Sequence, residues 1–264
     1  MVTVNFLACG QVGDLIHSLY TVKSICLRDD VKANIYISDI SSQLPCCGNF
    51  TYDTVKTYDD LKDFIISLSY VNEFNILPPN FTEPHINLNM WRDYIEVIAS
   101  SSGGYTKCWS ELMIEKFNID KIDGPWIEST TDPNTVNKIL IHQSDKRHNP
   151  NFNWDSVIIP EEEYLFITTN IDEWNIFHPK RDNVKLYLVT TISEMISAIN
   201  GCKYFIGNQS SPFAIASALD KPRLGLLDNT SKGFYMDEKK YYNNISWFFD
   251  ETNKHMGVNP LNLI

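Results

Sequence analysis

Apolar residues come in short dense runs divided by turn-forming segments, and the first run is Val2 to Leu7. Its β-branched and aromatic content predicts a strand. Ala8-Cys9-Gly10-Gln11-Val12-Gly13 is a small-residue loop, and a helical period sets in at Asp14. Leu15, Leu19, Val22 and Cys26 then recur at i, i+4, i+7 and i+11 with Ile16 beside them, which builds one apolar helix face. Asn34 to Ser38 is the next strand. Strand, glycine loop, helix and strand in this order predict a βαβ unit, and therefore a parallel sheet. The pattern from 52 to 100 is weaker. Tyr58 to Leu68 fits either a short strand or a helix, Leu77-Pro78-Pro79-Asn80 a loop, and Trp91 to Ile98 and Ser110 to Phe117 helices.

Turn formers then accumulate in Asp123-Gly124-Pro125-Trp126 and in Ser129 to Thr135, which predicts a boundary. Beyond it the pattern restarts. Lys138 to His142, Tyr164 to Thr168, Val184 to Leu188 (fit for an edge), Lys203 to Ile206 and Arg223 to Leu227 predict five strands. Helices are expected at Ile192 to Ile199, with Ser193 as its cap, and at Pro212 to Leu219. The pattern predicts an α/β protein with two parallel-sheet halves on either side of the linker, facing a central cleft. Residues 1–130 are expected to form the first domain and 136–248 the second, with the tail 249–264 expected to pack back on the first.

The chain has 264 residues, 43% hydrophobic and 21% charged, a globular composition. Its net charge of −11 repels phosphate backbones and argues against a nucleic-acid partner. The six cysteines show no CxxC spacing, so a structural zinc site is not expected, and adjacent Cys46 and Cys47 read as reduced thiols. The N-terminus lacks a basic flank and a long apolar run. No stretch approaches the roughly 18 apolar residues of a bilayer span. No transmembrane segment and a cytoplasmic location are therefore expected.

Three loops carry candidate chemistry. The glycines Gly10 and Gly13, set between a strand and a helix start, let backbone approach a ligand. Asp14 is either the cap of that helix, the commoner use of Asp there, or a general base at a cleft. His17 lies one turn on, toward the same side. The Ser144 to Pro150 loop follows a parallel strand at its carboxyl end, where Arg147 can clamp a pyrophosphate. Ser210 and Ser211 precede Pro212 at a helix start suited to capping and to holding an anion.

Together these loops carry a family resemblance. Gly10-Gln11-Val12-Gly13-Asp14-Leu15-Ile16-His17-Ser18-Leu19 resembles the opening Gly-Asp-Ile/Val-Ile-His/Tyr-Ser/Thr-Leu-Pro signature of the ADP-heptose:lipopolysaccharide heptosyltransferase-like glycosyltransferases. Phe205 to Arg223, containing Gly207-Asn208-Gln209-Ser210-Ser211-Pro212, resembles their Gly-Asn-Asp/Gln-Ser-x-Pro stretch with its Ala-rich helix and Lys-Pro. Ile141-His142 through Arg147-His148-Asn149-Pro150 and Trp154 is similar to the motif that opens the family's second domain.

The resemblance implies a GT-B fold, with two Rossmann-like doubly wound parallel-sheet domains, the acceptor approaching from the first and the donor nucleotide held mainly on the second. It also implies an inverting transfer that needs no metal and no cofactor. The substrates would be a nucleotide-diphosphate sugar donor and a glycan or glycoconjugate acceptor. Asp14 would be the base, and Gly13, His17, Arg147, Asn208, Gln209, Ser210 and Ser211 would bind donor or substrate. The sequence contains no Asp-x-Asp. Two positions depart from the pattern: Tyr20 replaces the usual Pro, and Gln209 an acid of many heptosyltransferases. The alternatives are a non-catalytic GT-B-like nucleotide-sugar or glycan-binding protein and, third, a sugar-nucleotide epimerase of similar architecture.

Overall fold

A computed structural model describes residues 2–38, 53–90, 109–144, 154, 158, 160–177, 182–208 and 210–226. These fall into two compact units, 2–128 and 129–226. The expected helix at Trp91–Ile98, the Cys46–Cys47 pair and the tail 249–264 lie outside the described residues.

The first unit runs β1 (Thr3–Cys9), α1 (Val12–Asp29), β2 (Lys32–Ser38), α2 (Thr54–Ser67), β3 (Val71–Ile76), β4 (Ile86–Asn87) and α3 (Trp109–Phe117). Its four strands are all parallel, in the order β3-β2-β1-β4. Leu15, Leu19, Val22 and Cys26 of α1 are buried as the period predicts, against a sheet face that buries Phe6, Ala8, Ile35 and Ile37. The ambiguous stretch around Tyr58 is helical, because Leu61, Phe64 and Ile65 share one buried face with Thr57. The other sheet face carries polar residues. Asn72 Nδ2 donates to Asn34 Oδ1 (2.8 Å), and Asn34 Nδ2 donates to Asn5 Oδ1 (3.0 Å), which joins three adjacent strands by side chains alone.

Helix α1 starts at Val12, two residues before the expected start, so Asp14 sits inside the first turn and does not cap it. Gln11 occupies the cap position without a side-chain bond. Gly10 needs no left-handed backbone; among the described glycines only Gly124 has a positive φ, of 88°.

The second unit runs β5 (Ile139–His142), β6 (Tyr164–Thr168), α4 (Ile171–Ile176), β7 (Val184–Leu188), α5 (Ile192–Gly201), β8 (Tyr204–Asn208), α6 (Ser211–Ala218) and β9 (Arg223–Leu226). The strands are parallel in the order β7-β6-β5-β8-β9, so Val184–Leu188 is an edge strand. The expected cap Ser193 is corrected to Thr191. Its side chain accepts from Glu194 N while Glu194 returns a bond to the cap, a complete capping box. Phe166, Phe177, Trp154 and Trp174 form an aromatic core, with Phe166 and Phe177 centroids 4.5 Å apart. Helix α6 is buried from Pro212 to Ala218, so it packs on all sides.

The turn-rich segment at the boundary is divided between the units by hydrogen bonds. On the first side, Trp126 Nε1 donates to Ile16 O (2.9 Å), Ile122 N to the Tyr20 hydroxyl (2.9 Å), and Lys23 Nζ to Pro125 O (2.9 Å). Tyr20 thus has a tethering role that proline could not fill. On the second side, Asp132 N donates to Ser197 O and the Thr135 hydroxyl to Ala198 O (2.8 Å). Gly201 packs so closely there that a Cβ would lie 2.2 Å from Thr135 Oγ1. No helix among the described residues is long and apolar enough to cross a membrane.

Candidate functional site

Each sheet reverses its strand progression once. In the first unit β2 and β3 lie on one side of β1 and β4 on the other; in the second, β6 and β7 lie on one side of β5 and β8 and β9 on the other. At such a switch point the loops leave the sheet in opposite directions and open a crevice at the carboxyl ends of the strands. The two glycine-containing motifs fall at those places. The first follows β1, and the second runs out of β8 into α6.

In the first unit the loop after β1 is fixed by its neighbours. Gly10 N donates to Ser38 O (3.2 Å), and the buried Thr57 hydroxyl donates to Gly10 O (2.7 Å). Gly13 and Asp14, both half-buried, follow in the first turn of α1. The buried Cys9 thiol donates to Asp14 Oδ2 at 3.6 Å, which ties the carboxylate to the end of β1. A carboxylate there also complements the positive end of the helix. His17 is half-buried, its ring 6.5 Å from that of Trp126. The structure therefore groups Gly13, Asp14 and His17 along the first two turns of one helix.

In the second unit the carboxyl ends of β5 and β8 pair closely. His142 is opposite Gly207, where a Cβ would meet the Phe205 ring at 2.8 Å and His142 O at 3.1 Å. A larger residue at 207 would therefore displace the Phe205 ring and press on the His142 carbonyl. Asn208 is 1% exposed and uses both ends of its amide on Ser144. Its Oδ1 accepts from Ser144 N (3.1 Å), and its Nδ2 donates to Ser144 O (2.9 Å) and Oγ (3.0 Å). The Ser210 hydroxyl donates back to Asn208 O (3.1 Å), and Ser210 makes no capping bond to α6. Ser210 and Ser211 are half-buried at the helix start. Arg147 and Gln209 lie outside the described residues.

Sequence reasoning passed over His142 as a functional side chain. It is 4% exposed at the end of β5, and Nδ1 is 2.9 Å from Ile167 O. Because a carbonyl can only accept, Nδ1 carries the proton and Nε2 keeps its lone pair. Burial holds its pKa below the usual histidine range, against the opposing pull of Glu173 and of the Ile167 carbonyl. The signal available was a polar residue closing an apolar strand, Ile139-Leu140-Ile141-His142. Ser144 carries no signal in the sequence beyond opening a polar loop. Among the described residues no group of three or more His, Cys, Asp and Glu side chains is arranged to hold a metal ion.

Residues 171–257 match the model of Glycosyltransferase family 9 (heptosyltransferase). The chain is similar in structure to Escherichia coli heptosyltransferase WaaC solved with ADP-2-deoxy-2-fluoro heptose. The TM-score is 0.53 at 8% identity, covering 95% of this chain and 99% of that one. WaaC solved with ADP gives 0.51 at 8% identity over 94% and 100%. It is also similar to TibC, an iron-containing dodecameric glycosyltransferase from enterotoxigenic E. coli H10407, with a TM-score of 0.53 at 11% identity. That match covers 85% of this chain and 57% of TibC. No curated protein matches the sequence. The two parallel-sheet α/β units have the GT-B fold of these heptosyltransferases.

Proposed function

We propose that this chain, a heptosyltransferase-like glycosyltransferase, moves a sugar from a nucleotide-diphosphate donor to a hydroxyl acceptor with inversion, using Asp14 as general base. The observation that carries this reading is positional. Both family-like motifs leave the carboxyl end of a strand at a topological switch point, the place where open α/β sheets bind ligands.

The division of work follows from the residues. In the first unit Asp14 takes the proton of the acceptor hydroxyl as its oxygen attacks the anomeric carbon. The Cys9 thiol orients that carboxylate. One C–O bond forms to the acceptor as the bond from the anomeric carbon to the diphosphate oxygen breaks, and the electron pair leaves with the diphosphate. In the second unit the Ser144 and Ser211 hydroxyls and the backbone N–H groups of Ser210 and Ser211 are the donors assigned near the start of α6, where developing negative charge is stabilised by fixed dipoles. Arg147 is the cation expected to complete that set, and Gln209 is expected to bond the donor's hydroxyls. Gly13 and His17 line the acceptor side beside Asp14. The reading assigns no step to a metal. WaaC, the structure matched along nearly its whole length, is described with ADP and an ADP-heptose analogue, whereas TibC is described as iron-containing.

The test has two stages. Thermal melting against a panel of nucleotides and nucleotide sugars finds the donor, since a ligand at a hundred times its Kd stabilises by about 2.7 kcal/mol. Asp14→Asn is then compared with wild type in transfer from that donor. The expected result is unchanged donor binding with kcat lowered about 10²–10⁴-fold, the usual contribution of a positioned base. Transfer at the wild-type rate by the variant would remove Asp14 from the mechanism.

A further inference from the structure

Asn208 lies in a motif whose members are expected to touch the donor, yet its amide is turned elsewhere. All three of its hydrogen bonds go to one residue, Ser144, on the neighbouring strand end. It takes the Ser144 N–H, donates to the Ser144 carbonyl, and donates to the Ser144 hydroxyl oxygen. An Asn amide has two N–H donors and an oxygen with two lone pairs, so these contacts use both donors and one of the two acceptor sites. At 1% exposure it has no surface to offer a ligand.

Occupying the backbone N–H and C=O of Ser144 together does what a ladder pair does beyond the point where β5 ends at His142. It extends the β5–β8 register by one side-chain rung, across the strand pair where the sheet order reverses. The bond to Ser144 Oγ has a further consequence. A hydroxyl whose oxygen already accepts from Nδ2 has its own proton free to turn outward. Ser144 is half-buried, so that proton is reachable.

We infer that Asn208 is a positioning residue: it fixes the Ser144 backbone and polarises the Ser144 hydroxyl as a donor to the diphosphate of the sugar nucleotide. This rests on the donor reading above and makes Ser144, not Asn208, the group that meets the ligand. Glutamine at 208 would place its amide one methylene further out and cannot form the same three bonds. Asp at 208 keeps the acceptor for Ser144 N–H and loses both donations.

The test uses the full chain with ADP and UDP as probes, each titrated calorimetrically, together with hydrogen exchange at the Ser144 amide. Asn208→Ala is expected to weaken whichever nucleotide binds by at least tenfold and to abolish protection at Ser144. Asn208→Gln, which keeps a neutral amide but holds it one methylene out of register, is expected to fall between it and wild type, and it serves if the alanine variant does not fold. Thr135→Val is the control. It removes a buried hydroxyl bond to Ala198 O at the opposite, amino end of β5, and should lower the melting temperature without changing nucleotide affinity. Wild-type affinity in both Asn208 variants overturns the inference, as does an equal loss of affinity in Thr135→Val. If wild type binds neither nucleotide, the donor reading fails. Exchange at Ser144 then still reports whether Asn208 holds that loop.

Discussion

His142 is buried at the end of a strand beneath the crevice of the second sheet, and its chemistry is set by that burial. With Nδ1–H on the Ile167 carbonyl and burial opposing charge, the folded chain binds its extra proton less readily than the unfolded chain. The folded pKa is thus below the unfolded one. As pH falls below about 6.5, the unfolded state takes up protons that the folded state does not, and stability falls with it. His142→Gln, which keeps a donor and never ionises, is expected to flatten the acid arm of the melting-temperature profile below pH 6.5. An arm of unchanged slope would assign the acid loss to other groups. Residue-scale features were unevenly legible. Asp14 stood out because Gly-x-x-Gly-Asp joins a glycine loop to a helix start. Its neighbour Cys9 did not, because a thiol closing an apolar strand looks like any other core residue. The role of Asn208 was illegible for another reason. The sequence places it in a ligand-type motif, and only the pairing of β5 with β8 turns its amide onto Ser144.

Helix α5 gives the clearest element-scale test. Its capping box satisfies backbone N–H groups at its start, and the bonds from the Thr190 and Thr191 region hold the Glu194 carboxyl below its usual range. Thr191→Ala is expected to cost about 1 kcal/mol of stability, read as a lower urea midpoint at unchanged slope. A midpoint equal to wild type would mean that the helix end is held by packing alone. The same helix illustrates a limit of sequence reading. Ser193 and Thr191 are both good caps by type, and the Glu three residues after Thr191 distinguishes them. Strands β3 and β4 were harder to find. Val71-Asn72-Glu73-Phe74-Asn75-Ile76 lies at a sheet edge beside a polar face, so its apolar alternation is broken by side chains that bond to Asn34 or face water. Strand β4 is two residues long and exists only through its pairing with β1. Helix α2 starts at Thr54, ahead of the ambiguous stretch, and its inward face includes a buried threonine, Thr57, that holds Gly10.

At the scale of the whole chain, the α/β class, the two parallel sheets and the order of most elements follow from recurring strand–helix patterns and from the handedness of crossovers. The strand orders do not. The places where the sheets reverse, and hence the crevices, emerge only when the last strands of each unit add to the far side of the first. The excess of acidic residues still bears on partners, since a chain of net charge −11 must confine any anion site to a few local donors.

The segment strapped by Tyr20, Lys23 and Trp126 on one side and by Thr135 and Ser197 on the other has a practical consequence for dissecting the molecule. Its two ends are parts of different cores, so a gene severed between codons 128 and 129 leaves every one of those bonds within its own fragment. A leading fragment that stops at Phe117 forfeits its whole share. The fragment 1–128 is therefore expected to melt at a higher temperature than 1–117 by circular dichroism, and identical melting curves would reduce the strap to ornament.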